Sequence, residues 1–275
     1  MSDPHLAQIQ AIYTPRSTSY DDSWHGVHAE NVVRAASLAP GARVLDLACG
    51  TGLLSVLEAR AVGPTGGVVG VDITPSMLGL AREKAAAAQL PITFLEHDIT
   101  DLEPLRATLL AGTDGFDAIT CACALVLLSD PPAAVRHWSS FLRPGGRLLL
   151  DVPAGPSSTP GHLLELIAPA CGVPLVMNQM WVQGPSSLSD VLTAAGLDVE
   201  RVWRTEPYYH MEHGAREAGE KFDAMIRGPA FGGFAREEIR ERARKLYMEK
   251  FHEFADADGV WRWDFWLYVG IGVRR

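Results

Sequence analysis

Three carboxylates stand at the ends of three successive apolar runs: Asp46 within Val44–Gly52 (VLDLACGTG), Asp72 within Gly70–Met77 (GVDITPSM), and Asp98 within His97–Ile99 (HDI). After Asp46 comes a turn of small residues, Ala48, Cys49, Gly50, Thr51 and Gly52, which lets backbone approach a ligand closely at a helix start. A carboxylate before such a turn suits an ammonium group and repels a dinucleotide pyrophosphate. Asp72, about twenty residues further on, is placed to accept hydrogen bonds from both hydroxyls of a ribose. Asp98 is placed to accept from an adenine amino group, with Ile99 against the ring. The glycine turn alone serves a dehydrogenase equally well, and Asp72 would serve NAD. Asp46 disfavours that reading, as does Ser55, which stands where a dinucleotide fingerprint wants its last glycine or alanine.

The elements that must hold these residues follow from period. Arg43–Ala48, Gly67–Ile73, Ile92–His97, Phe116–Ala124 and Arg147–Val152 are short apolar or β-branched runs, as expected of strands buried on both faces of a parallel sheet. Helices are predicted between them, one beginning at Thr74 and Pro75 and running to about Gln89, another beginning at Asp130-Pro131-Pro132 and ending before Pro144. Such alternation predicts right-handed βαβ units in a doubly wound α/β sheet with ligands at the carboxyl ends of its strands. Beyond Val152 the pattern loosens through Pro153–Gly161, followed by helix candidates at Leu163–Ala168 and Ser187–Ala195. Leu197–Arg204 and Asp264–Val273 read as a final strand pair. The interval between them is too long for a structureless loop and is read as a helical insertion. The expected organisation is an N-terminal lid (1–35), a core (36–205 and 260–275) and a helical cap (206–259).

In five segments, Val44–Gly52, Gly70–Met77, His97–Ile99, Phe116–Cys121 and Phe141–Leu148, the chain resembles the class I S-adenosylmethionine-dependent methyltransferases. The resemblance implies a Rossmann-like seven-stranded sheet with one antiparallel strand near its edge, and methionine binding by the glycine turn. It further implies ribose binding by Asp72 and adenine contacts from Ile73, Met77, Asp98 and Ile99, with Cys121 at the end of the fourth strand beside the cofactor. Ala48 departs from the pattern, since many members carry glycine there. An N-terminal segment commonly folds over the cofactor in this family, which nominates Tyr20 and Trp24. The implied cofactor is S-adenosyl-L-methionine, leaving as S-adenosyl-L-homocysteine, with no metal: Cys121–Leu125 offers no acid where a catechol-type magnesium site would need one. The Asp130-Pro-Pro run lies beyond the strand end and is followed by Ala133, so it reads as a helix cap and not as the tetrad of amino-methylating relatives.

The acceptor is less legible. Methyl transfer from a sulfonium needs alignment and exclusion of water, and a general base only for poor nucleophiles. His25 and His210 are the candidate bases, from the pairs His25/His28 and His210/His213. Of the 22 aromatic residues only seven precede position 151, so the later part of the chain suits an apolar small molecule. The motif around Tyr20–His25 together with the late insertion is similar to fungal natural-product methyltransferases, and a thiol is the preferred acceptor, with an O-methylated phenol or polyketide next and a non-methylating cofactor-binding regulator third. Arg236–Lys245 reads as a solvated helix face with Glu238–Arg242 and Glu241–Lys245 pairs. The formal net charge of -9 disfavours nucleic acid. Four cysteines in no metal-ligand or Cys-x-x-Cys spacing read as reduced, and no run is long and apolar enough to span a membrane, so a cytoplasmic monomer or homodimer is expected.

Overall fold

The computed structural model describes residues 3–154 and 159–275; part of the loosened Pro153–Gly161 stretch therefore lies outside the described residues. The chain opens with α1 (Pro4–Tyr13), a 3-10 segment (Thr14–Asp22) and α2 (His25–Ala36). It then alternates: β1 (Arg43–Leu47), α3 (Leu53–Val62), β2 (Gly67–Asp72), α4 (Pro75–Ala87), β3 (Ile92–Glu96), the short α5 (Arg106–Leu109), β4 (Phe116–Cys121), α6 (Pro131–Ser139) and β5 (Leu142–Pro153). After α7 (Pro160–Cys171) and α8 (Pro185–Ala194) comes β6 (Leu197–Arg204), then β7 (Tyr209–Gly214), α9 (Ala215–Met225), α10 (Glu237–Phe254), β8 (Val260–Phe265) and β9 (Leu267–Arg274).

The main sheet has seven strands in the order β3-β2-β1-β4-β5-β9-β6. β9 runs antiparallel to both of its neighbours and the other paired strands are parallel. This is the doubly wound α/β sheet expected from the alternation, with the seven strands and the antiparallel strand near the edge that the resemblance implied. Strand order reverses at β1, so the turns after β1 and β4 splay to opposite faces and leave a crevice at their carboxyl ends.

The sheet core holds Leu45, Leu47, Ile119, Leu148 and Leu150, with Trp138 of α6 fully buried against it. A second core joins α2, α7 and the insertion through Leu163, Leu164, Phe222, Tyr247, Phe251 and Trp261. Many late aromatics are thus packing residues.

The insertion between β6 and β9 is not wholly helical. β7 stands in the interval assigned to helices and pairs antiparallel with β8, placing Tyr209 opposite Phe265 and His210 opposite Asp264. The run Asp264–Val273 is accordingly broken between two strands of different sheets. β7, Tyr-His-Met-Glu-His-Gly, shows no strict alternation of apolar and polar residues, so its period does not separate it from a helix end. The helix pairs expected in α10 are also replaced: Arg240 and Arg244 reach Asp223 of α9 at 3.1 and 3.7 Å, and Lys245 reaches Glu249 at 3.9 Å. Asp130 caps α6 as read, accepting the Ala133 amide at 3.0 Å.

Candidate functional site

The turn after β1 is built around left-handed backbone. Ala48, Gly50 and Gly52 have φ of 56°, 54° and 76°, so the alanine that departs from the family pattern occupies a glycine-like conformation, a strain of about 1–2 kcal/mol. The Cys49 amide donates to the Val71 carbonyl at 3.1 Å, tying the turn to β2. Gly52 caps the start of α3, and a Cβ there would lie 3.0 Å from that of Ala81, so this glycine permits α3 and α4 to approach.

Asp72 is 7% exposed and holds the turn from the other side. One carboxylate oxygen accepts the Gly50 amide and the other the Thr74 amide, each at 2.8 Å. Burial pushes its carboxyl up, and these amides oppose the shift. Asp46 is more buried still. Its carboxylate accepts from Ser55, and burial raises it to about 7. Near it lies Glu58, fully buried, accepting from Thr120 at 2.7 Å and pushed well up by burial and by Asp46.

Three cavities open at the carboxyl end of the sheet. The first is lined by Asp72, Ile73, Met77, Asp98 and Ile99, together with Tyr13 and Leu127, which sequence reasoning missed. Asp98 spends its oxygens on the Thr100 amide and hydroxyl, at 2.8 and 2.7 Å, fixing the loop after β3. The second is lined by Asp46, Ala48, Cys49, Gly50 and Thr51 on the sheet side and by His25 and His28 of α2. The third is mostly apolar, with Trp24, Leu127, Met177, Tyr209 and Phe265 around Arg16, Asp151, Glu165 and Gln179.

Tyr20 and Cys123 line all three cavities. Cys123 does so because the chain turns sharply after β4, with φ of 59° at this non-glycine residue. Tyr20 arrives from the 3-10 segment, which is pinned over the turn by Asp21: it accepts from Thr51 and Lys84, each at 2.5 Å. Gln10 of α1 adds a bond to the Ile73 carbonyl at 2.6 Å.

Of the remaining candidates, His25 lines the second and third cavities, stacked between Tyr20 at 4.0 Å and Trp24 at 4.1 Å; burial lowers its pKa to about 4. Trp24 lines the third cavity, contacting Tyr208 and Phe265 at 4.9 and 4.8 Å between ring centroids. Cys121 is fully buried in the sheet core, and its expected place belongs to Ala122 and Cys123. His210 is displaced altogether: three-quarters exposed, it pairs with Asp264 at 2.5 Å in a separate surface groove. Alternation along β7 sends Tyr209 toward the third cavity and His210 away from it.

Sequence reasoning also passed over Asp151, 1% exposed near the end of β5. It accepts from His28 Nε2 at 2.7 Å and from the Cys123 amide at 2.9 Å, while His28 Nδ1 meets the Tyr208 hydroxyl at 2.6 Å. A charged residue inside the apolar run Leu148–Val152 was the available signal.

A family model described as a methyltransferase domain matches residues 38–192, more than half of the chain. The chain belongs to this methyltransferase family. Within it, a ubiquinone biosynthesis O-methyltransferase of Xanthomonas axonopodis is 38% identical over 130 residues, 46% of this chain and 51% of that protein. The chain thus spans about half the length of the curated relatives it matches. Among solved structures, magnesium protoporphyrin IX methyltransferase from Synechocystis, with S-adenosylhomocysteine bound, shares the fold at TM-score 0.52 and 18% identity, covering 92% of this chain and 84% of that one. The (4+2) cyclase SpnF shares it at TM-score 0.56 and 21% identity, covering 90% and 80%. The methyltransferase fold therefore also carries a cyclase. Among the described residues no helix is long and apolar enough to cross a membrane.

Proposed function

We propose that the chain transfers the methyl group of S-adenosylmethionine to a hydroxyl of a small, largely apolar molecule of phenolic, quinol or polyketide type. The observation that carries this reading is the meeting of three cavities at Tyr20 and Cys123. Adenosine fits the first cavity, with the ring against Ile73, Met77 and Ile99. The amino-acid end fits the second, with its ammonium toward Asp46. The sulfonium methyl then falls at the junction and points into the third cavity, where Trp24, Tyr209 and Phe265 can sandwich an apolar acceptor.

Oxygen is preferred over sulfur as the acceptor for two reasons. A thiol ionises readily and needs no partner, whereas a hydroxyl needs a group to take its proton, and a buried carboxylate lines the acceptor cavity. The Xanthomonas relative is also named an O-methyltransferase. His25 serves this arrangement as a neutral wall: with its pKa near 4 it adds no positive charge beside a sulfonium at physiological pH.

Asp46 gives the reading a pH signature. A carboxyl raised to about 7 must ionise to face an ammonium, so S-adenosylhomocysteine affinity is expected to fall about tenfold per pH unit below 7, with a proton released on binding. The same elevation means that the unfolded chain ionises this group first, so it costs the ligand-free fold stability as pH rises from about 4 to 7. Calorimetry at several pH values and in buffers of different ionisation enthalpy checks this; an affinity flat from pH 5.5 to 7.5 removes Asp46 from the ammonium site. Incubation with methyl-labelled S-adenosylmethionine and a panel of phenols, quinols, thiols and amines, read by mass spectrometry, tests the activity itself. Label on phenolic oxygen is expected, and tight cofactor binding without transfer to any acceptor would place the chain with non-methylating users of this fold.

A further inference from the structure

We infer that Asp151 is the group that takes the acceptor's proton, with His28 as the residue that positions it; the inference rests on the methyl-transfer reading above. Asp151 is the only carboxylate of the described residues that both lines the acceptor cavity and lies at its junction with the other two. Its oxygen, the Cys123 sulfur and a His28 ring nitrogen all lie within 4.8 Å of one another. Glu165 also lines that cavity, but it is engaged by Gln179 through amide and side chain at 3.3 and 3.1 Å.

Asp151 is held from two directions. The Cys123 amide fixes one oxygen, and His28 Nε2 fixes the other. That assigns the Nε2 hydrogen to His28 and leaves Nδ1 to accept from Tyr208, so histidine and tyrosine lock the carboxylate without occupying all its lone pairs. The chain Tyr208–His28–Asp151 joins residues from α2, β5 and the entry to β7, and His28 also borders an outer groove with Asn31 and Arg34.

The charge balance of the reaction fits this placement. The methyl–sulfur bond breaks and its electron pair stays on sulfur, an oxygen–methyl bond forms, and the acceptor O–H proton passes to Asp151. Before transfer the sulfonium cation faces the Asp151 anion; afterwards a neutral thioether faces a neutral acid. Discharge of the sulfonium removes the carboxylate's counter-ion and strengthens it as a base while the hydroxyl becomes acidic. His25, which lines the second and third cavities, would instead become a cation in surroundings that disfavour one.

Asp151→Asn and His28→Gln are to be compared with wild type on 4-propylphenol, un-ionised near neutral pH, and pentafluorophenol, which is ionised there. Asp151→Asn is expected to lower kcat about a hundredfold or more on the first and to leave the second nearly unchanged. His28→Gln should show the same selectivity with a smaller loss. Should Asp151→Asn not fold, the wild type still decides: a normal solvent deuterium isotope effect is expected on 4-propylphenol and none on pentafluorophenol. Equal losses on both phenols, or the absence of that isotope contrast, overturn the assignment while methyl transfer stands. A wild type that methylates no phenol removes the hydroxyl reading and this assignment with it.

Discussion

Asp72→Ala is expected to weaken S-adenosylhomocysteine binding by about a hundredfold or more, because two buried charge-assisted hydrogen bonds are lost together, each contributing about 1.5–3 kcal/mol. The Gly50 and Thr74 amides converge on this one carboxylate, so its removal frees both the ligand turn after β1 and the start of α4. Any direct bond to ribose would be lost as well. Part of the effect is global, and a lower melting temperature should accompany it; affinity is therefore to be measured by calorimetry well below that temperature. Asp72→Asn should fall between, since an amide keeps one acceptor and turns a donor toward the second backbone N–H. Unchanged affinity in Asp72→Ala would mean that the ligand does not use this turn.

The second large effect is expected at Tyr20. Its ring is the wall common to the three cavities, half-buried and stacked on His25 at 4.0 Å. Tyr20→Ala opens the junction to water and removes the surface that aligns methyl with acceptor, where a misplacement of about 1 Å costs about a hundredfold in rate. The expected result is a fall of that order in kcat, with a change in S-adenosylhomocysteine affinity of less than about tenfold, because the glycine turn and Asp72 remain. Tyr20→Phe keeps the ring and should retain most activity. Loss of binding in step with loss of turnover would instead assign Tyr20 to the cofactor alone.

What could be read from the amino-acid order was what depends on neighbours in the chain. Asp46, the glycine turn, Asp72 and Asp98 each end or follow a strand whose run is visible, and a parallel sheet brings such ends to one edge. Tyr20 was legible only through the resemblance. The errors have local physical causes. Cys121 and Cys123 differ by one turn of backbone: the strand buries the first in the sheet, and a left-handed residue delivers the second to the cavities. His210 and Tyr209 differ by one residue of strand phase, which could not be assigned while the interval was read as helix. Gly52 also answers a demand that its neighbours in the chain do not show, the close approach of Ala81 in another helix. Asp151 and His28 are 123 positions apart, and nothing in either local pattern announces their contact. The cofactor half of the candidate site is written locally in the chain, whereas the acceptor half is assembled by tertiary packing.

The placement of the sulfonium is the claim on which the rest depends, and a crystal structure with S-adenosylhomocysteine tests it most directly. The predicted result has adenine against Ile73, Met77 and Ile99, the amino-acid end beside Asp46 and Gly50, and sulfur in contact with Tyr20 and Cys123. Adenine or sulfur found instead between Trp24 and Phe265 would contradict it.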